Sequence, residues 1–176
     1  MEVAKGAIVF GVNASVPLGE ITERQLCDLY EGKTSNWNAL KGRDAPAVVL
    51  TRPPAEVDPE VIRAKLACFK DLKEAQSVRV MARGGDLAKG LADTPDAIGM
   101  TSMTVVEQSR GKVKPLSVNG IAPTAENVKS GRYILTRDFL FVVNNAPPAQ
   151  VTRFLEFVFS PAGDRVILGS GAIPSR

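Results

Sequence analysis

The sequence predicts an α/β fold, because short apolar runs of strand type alternate with capped segments of helical type along almost the whole chain. Runs such as AIVFGVN (residues 7–13), AVVLT (47–51) and AIGMT (97–101) read as strands buried on both faces. The segments between them carry helix start and stop signals. Neither an internal repeat nor a low-complexity tract interrupts the alternation.

Each element follows from local chemistry. Ala7 to Asn13 is the first strand. Thr22 opens the first helix: Thr22 and Gln25 are spaced as a capping box, Ile21 and Leu26 stand at staple positions, and Gly32 stops it. Ala47 to Thr51 is the second strand. Asp58 is expected to cap the next helix, with Pro59 at its first position and Ile62, Leu66 and Phe69 on one face. Val78 to Met81 reads as a short strand, Asp86 to Ala92 as a short helix and Ala97 to Thr101 as a strand. A helix from Met103 to Gln108, a strand from Lys114 to Val118 and a helix from Ala125 to Lys129 follow. Ile134 to Val143 is the longest strand candidate. Pro148 to Phe159 is an amphipathic helix whose Val151, Phe154, Leu155 and Val158 fall on one face. Ser160-Pro161 starts the last helix and Gly169 ends it.

The 176 residues allow one domain or two small lobes. With 22 Lys+Arg against 19 Asp+Glu the net charge is +3, and the excess lies in residues 111–176 without the density of a nucleic-acid patch. No histidine is present. A Ser-His-Asp or Cys-His catalytic pair and a His-ligated metal are therefore excluded, and an enzyme is not expected. No window is long and apolar enough to span a bilayer, and the start lacks a signal-peptide core. The chain is thus expected to be either cytoplasmic or a mature or trimmed form. Cys27 and Cys68 each sit in a helix beside apolar neighbours and read as buried free thiols, with a disulfide in an oxidising compartment as the alternative. Gly32-Lys33-Thr34 is not the end of a phosphate-cradling nucleotide loop, because Cys27 stands where that loop needs glycine.

Four segments carry a resemblance. They are Ile21-Thr22-Glu23-Arg24-Gln25-Leu26 running through Leu29-Tyr30-Glu31-Gly32-Lys33 to Asn36-Trp37; Thr94-Pro95-Asp96-Ala97-Ile98-Gly99-Met100; Val118-Asn119-Gly120 with Pro123-Thr124, Asn127-Val128 and Gly131-Arg132-Tyr133; and Phe154-Leu155-Glu156-Phe157 with Ser160-Pro161-Ala162-Gly163 and Gly171-Ala172-Ile173-Pro174. In order and spacing the chain resembles the type 2 periplasmic binding proteins, the phosphate receptors of ABC importers above all. The resemblance implies an α/β binding-protein fold in shortened form, with an inserted lobe near 45–120 and a partial first lobe from 1–44 and 121–176. It also implies a periplasmic or extracytoplasmic place, ABC-importer membrane subunits as partners, and a small oxyanion such as phosphate held between lobes without a cofactor.

Two departures matter. The βα section that precedes the Ala7 region in that family is not seen, so apolar faces such as Val151/Phe154/Leu155/Val158 need another cover, and a homodimer by element exchange is expected. The family places Arg and then Ser-Gly-Thr around its anion; here Arg52 matches the Arg, but Glu56-Val57-Asp58 replace the rest. Asp58 is then expected to fill the anion niche from within, and Arg52 to pair with a carboxylate.

Candidate ligand residues are Arg52, Asn13, Ser15, Arg83, Gly84, Thr101, Ser102 and Arg137. Arg52 is an anion clamp or an ion-pair partner. Arg83 and Gly84 offer backbone N–H groups or form a loop capped by Asp86. Asn13 and Ser15 follow the first strand and serve either a cleft or a turn. Thr101 and Ser102 end a strand, where they contact ligand or cap a helix, and Arg137 faces a cleft or a polar surface. The functional expectation is a non-catalytic solute-binding protein of the phosphate-receptor type. The alternative is a degenerate domain that acts as a sensor or interaction module without binding phosphate.

Overall fold

The protein is described by a computed structural model covering residues 1–176. Its sheet is organised on one long strand, β1 (Glu2–Asn13). The C-terminal half of β1 pairs antiparallel with β5 (Ala97–Ser102), Ile8 opposite Ser102 and Val12 opposite Ile98, and with β6 (Val113–Pro115). The N-terminal half pairs antiparallel with β8 (Thr136–Leu140) and β9 (Ala172–Pro174). Beyond β5 the sheet continues through β3 (Val48–Thr51) to β4 (Arg79–Val80), all three parallel. A separate parallel pair joins β2 (Glu20–Ile21) to β7 (Ser117–Val118).

Ala7, Ile8, Val9, Phe10 and Val12 are wholly buried, as expected for a strand covered on both faces. On one face Phe10 meets Tyr30 and Phe69, with ring centroids 6.0 and 5.7 Å away. Tyr30 belongs to α1 (Glu23–Tyr30) and Phe69 to a 3-10 turn, Ala67–Phe69, that follows α2 (Val57–Lys65). On the other face Gly11 lets α3 (Gly84–Asp93) approach: a Cβ at Gly11 would stand 2.9 Å from Thr101 Cγ2 and 3.6 Å from Leu91. The remaining helices are α4 (Met103–Gln108), α5 (Ala125–Lys129), α6 (Ala149–Val158) and α7 (Pro161–Gly169).

The capping chemistry is where the sequence places it. Thr22 Oγ1 accepts from Gln25 N at 3.2 Å and Gln25 Oε1 accepts from Thr22 N at 2.9 Å. Ser102, Thr124 and Ser160 cap α4, α5 and α7. Four expectations are corrected. Asp58 is not the cap of α2: the helix starts two residues earlier than expected, at Val57, with Glu56 at the N-cap position and no side-chain cap bond. Its end at Lys65 puts Phe69 in the following turn, still buried with Ile62 and Leu66. The segment from Lys114 to Val118 splits into β6 and β7, because Leu116 N turns to Phe10 O. The long strand candidate at Ile134 to Val143 forms a ladder only over Thr136–Leu140, where β1 offers a partner.

The fourth correction concerns the cysteines. Cys27 and Cys68 are joined in a disulfide, with Cα atoms 6.3 Å apart, and no free thiol remains. The bond ties α1 to the 3-10 turn beside the Tyr30–Phe69 contact, and Glu23 Oε1 accepts from Cys68 N at 2.9 Å in the same junction. The far end of the sheet is held by Asp96. Its backbone takes a left-handed φ of 61°, its carbonyl accepts from Trp37 Nε1 at 3.0 Å, and Arg43 grips its carboxylate as a fork.

The C-terminal helices depart from the expected burial. Of the face Val151/Phe154/Leu155/Val158 only Val158 is buried, and Phe154 is 53% exposed. Leu140, Val142, Phe157, Val166 and Leu168 are exposed as well.

A disulfide closing a loop of 41 positions restricts the unfolded chain. Reduction, or the Cys27→Ala/Cys68→Ala double variant, is expected to lower stability by about 3–4 kcal/mol. Denaturant midpoints with and without reductant measure this, and coincident curves would contradict it.

Candidate functional site

In a sheet with parallel strands, ligands meet the chain beyond the C-terminal strand ends, where loops and helix N-termini converge. Here β3, β4 and β5 run the same way, so Arg52, the Met81–Gly84 loop and Thr101-Ser102 leave the sheet at one edge. Arg52 follows β3 directly. Its side chain is only 12% exposed and lies against the N-terminus of α3, where a Cβ on Gly84 would stand 2.9 Å from Arg52 Nη1. Arg52 Nη2 contacts Glu56 Oε2 at 2.9 Å, while Arg52 Nε, also buried, has no hydrogen-bond partner.

A second pair adjoins the first. Asp58 sits in the first turn of α2, and its Oδ1 lies 3.6 Å from Nη1 of Arg137, which comes from β8. The guanidinium of Arg137 also stacks over the Phe139 ring at 5.1 Å. Asp58 Oδ1 and Arg137 Nε are buried without a hydrogen-bond partner. Burial pushes the Asp58 carboxyl above its ordinary value; Arg137 and then Arg52 oppose the shift, and Glu56 adds to it. Two guanidiniums and two carboxylates thus form one cluster, in which Arg52 Nε, Arg137 Nε and Asp58 Oδ1 have no hydrogen-bond partner.

The structure brings together three of the sequence-predicted residues, Arg52, Gly84 and Arg137. Arg83 points away: its side chain is 83% exposed and its Nε donates to Asp86 Oδ2 at 3.1 Å. Asp86 therefore does not cap the helix; Arg83 occupies the N-cap position without a side-chain cap bond. Thr101 and Ser102 are buried at the same sheet edge, but Ser102 Oγ accepts from Val105 N as the cap of α4. Asn13 and Ser15 lie at the opposite end of the sheet, because β1 runs antiparallel to β5. Asn13 donates to the carbonyls of Leu91 and Ala92, and Ser15 Oγ accepts from Asp96 N at 2.9 Å.

The carboxylate expected on Arg52 is Glu56, and Asp58, expected to fill the niche, pairs with Arg137. A neighbouring trio had no signal in the sequence. Thr51 Oγ1 donates to Glu74 Oε1 at 3.0 Å, and Arg63 reaches Glu74 and the carbonyls of Phe69 and Leu72. It braces the turn before β4 against β3 and α2.

A family model described as a PBP superfamily domain matches residues 1–162. The chain is 28% identical over 175 residues to "Phosphate-binding protein PstS" of Borreliella burgdorferi, covering 96% of this chain and 63% of that protein. It is 29% identical over 133 residues to the Bacillus subtilis protein of the same name, covering 75% and 42%. The chain therefore spans less than two thirds of the length of these relatives. A Clostridium perfringens chain solved with bound phosphate superposes with a TM-score of 0.82 at 26% identity, over 100% of this chain and 71% of that one. The PstS structure from Borrelia burgdorferi superposes with a TM-score of 0.71 at 24% identity, over 99% and 71%.

The raised Asp58 value fixes a sign. In the native state this carboxyl holds its proton to higher pH than in the unfolded chain. Its contribution to stability is therefore present below the ordinary carboxylate value and lost as pH rises through the raised native value. Asp58→Asn stays neutral throughout, so its stability relative to the parent protein is expected to improve as pH rises across that interval. Urea unfolding of both proteins at a series of pH values measures the difference; a difference that falls or stays flat would sink the assignment.

Proposed function

The chain belongs to the PBP superfamily, and from that premise we propose that it binds a small oxyanion as a non-catalytic solute receptor of the phosphate-importer type. The observation that carries the reading is Arg52. It is a nearly buried guanidinium at the C-terminal end of a parallel strand, set against a helix N-terminus, with Nε unpaired. Arg137 lies in the same cleft through Asp58. Capture takes place between two lobes and closes by bending at the strand they share.

In this reading the lobes divide within β1. Residues 8–13 go with β3 to β6, and residues 2–7 with β8, β9, α6 and α7. The boundary thus moves from residue 44 into β1, and α1 joins the inserted lobe, an arrangement supported by the Cys27–Cys68 bond and the contact of Tyr30 with Phe69. The disulfide also supports an extracytoplasmic site of action. No helix is long and apolar enough to cross a membrane. The membrane subunits of an importer are the partners in this proposal. A second copy of the chain is proposed to cover the exposed apolar residues of α6 and α7. The Glu56 contact on Arg52 favours a second reading, a sensor or interaction module in which the niche is permanently filled from within.

Ligand bound to the native state alone raises its stability, by about 2.7 kcal/mol at one hundred times the dissociation constant. Inorganic phosphate is therefore expected to raise the melting temperature. Arg52→Ala is expected to weaken binding by about 30-fold or more, since truncating a buried charged partner costs roughly 2–5 kcal/mol. Ser15→Ala, at the far end of the sheet, should leave the dissociation constant unchanged. An unshifted melting temperature at millimolar phosphate would favour the sensor reading.

Light scattering tests the second copy. The expected mass is that of a dimer, shifted to monomer by Phe154→Asp with Leu168→Asp; a monomer at high concentration counts against it.

A further inference from the structure

We infer that Glu56 is an internal competitor for the ligand of Arg52, so that oxyanion capture is an exchange of one carboxylate for another anion and not the filling of a free site. The inference deepens the receptor reading above and rests on it.

Three observations carry it. First, the two ends of the contact differ in freedom. Arg52 is 12% exposed and packed against Gly84, whereas the Glu56 side chain is 44% exposed. Glu56 stands at the N-cap position of α2 without a cap bond that would tie its side chain to the helix. A change of side-chain rotamer suffices to carry its carboxylate into water, and the guanidinium stays where it is.

Second, the grip is incomplete. Elsewhere in the molecule Arg43 shows what a full fork looks like, with both Nε and Nη2 donating to the two oxygens of Asp96. On Arg52 the carboxylate meets Nη2 alone, and Nε is left buried without an acceptor. An oxyanion with two oxygens on that edge satisfies both donors, an advantage that Glu56 forgoes in the observed geometry.

Third, the charges in the cleft cancel while Glu56 is in place. Arg52 and Arg137 face Glu56 and Asp58. Moving Glu56 out leaves one net positive charge, and only then does the cleft attract an anion. The observed affinity is the intrinsic affinity reduced by the fraction of molecules in which Glu56 has swung away. Glu56 is thus a specificity-determining residue: it sets a threshold that weakly coordinating anions fail to cross.

The experiment is calorimetric titration of inorganic phosphate into the parent protein, Glu56→Gln and Arg52→Ala, with circular dichroism to verify that each variant is folded. Removing the competing charge is expected to tighten phosphate binding by about tenfold, while Arg52→Ala loses it. If the parent binds phosphate and Glu56→Gln binds equally or more weakly, the competition is overturned and the receptor reading stands. If neither the parent nor Glu56→Gln binds while both remain folded, or if Arg52→Ala binds as tightly as the parent, the receptor reading itself fails and the inference goes with it.

Discussion

Every other part of the structure is positioned by the two ladders of β1. A strand of 12 residues pairs over one half with β5 and β6 and over the other with β8 and β9. Its middle is also fastened crosswise: Ile8 N donates to Leu135 O at 2.8 Å and Tyr133 Oη donates to Ile8 O at 2.7 Å. Both bonds are buried, and buried backbone groups must be paired. A one-residue slip of β1 would move its apolar residues to the wrong faces and carry Arg137 away from Asp58. The register of one strand therefore fixes the distance between a side chain on β8 and a cleft built by β3, α2 and α3.

The cleft is then an electrostatic problem with few solutions. A guanidinium as sheltered as Arg52 is destabilising unless a carboxylate or a bound anion stands against it, because an unpaired buried charge is costly. The chain supplies Glu56 and Asp58 and gives each a guanidinium to face. Asp58 is the less comfortable of the two, since desolvation outweighs both arginines and lifts its pKa. The neighbouring Thr51–Glu74–Arg63 group differs in kind. There Arg63 donates to two carbonyls as well as to Glu74, so that group braces the fold. Arg63 Nε is nevertheless buried without a partner, as Arg52 Nε and Arg137 Nε are.

What was legible in the sequence was local chemistry. Thr22 with Gln25, Thr124 and Ser160-Pro161 mark helix starts because a cap bonds an amide three residues away, and the structure puts those helices there. The Arg52 motif was legible for the same reason, being confined to seven consecutive residues. What was not legible depends on partners far along the chain. Residues 2–6 of β1 carry Glu2, Lys5 and Gly6, an unpromising strand until β8 and β9 are in place beside them. The disulfide joins residues whose neighbours say only that they are buried. Asn13 and Ser15 looked like cleft residues because they follow a strand, but which end of a sheet faces the cleft depends on strand direction, and β1 opposes β5.

The C-terminal helices make a separate point about how the fold holds together. The main hydrophobic core takes in β1, β3, β5, α1, the aromatic trio and Ile173 of β9, yet no residue of α6 or α7 belongs to it. Those helices attach through β9 and through their own contact, and their exposed Phe154, Phe157, Val166 and Leu168 are too many to be scattered surface residues. A helix that shows apolar residues on more than one side is one that packs between two neighbours. The helices α6 and α7 are thus the part of the molecule with the fewest ties to the main core. Arg137 stands on β8, in the half of β1 that carries these helices, whereas Arg52 and Glu56 stand in the half built on the main core. The ion pair Arg137–Asp58, beside Arg52–Glu56, thus joins the well-anchored part of the fold to the part that carries the exposed apolar residues.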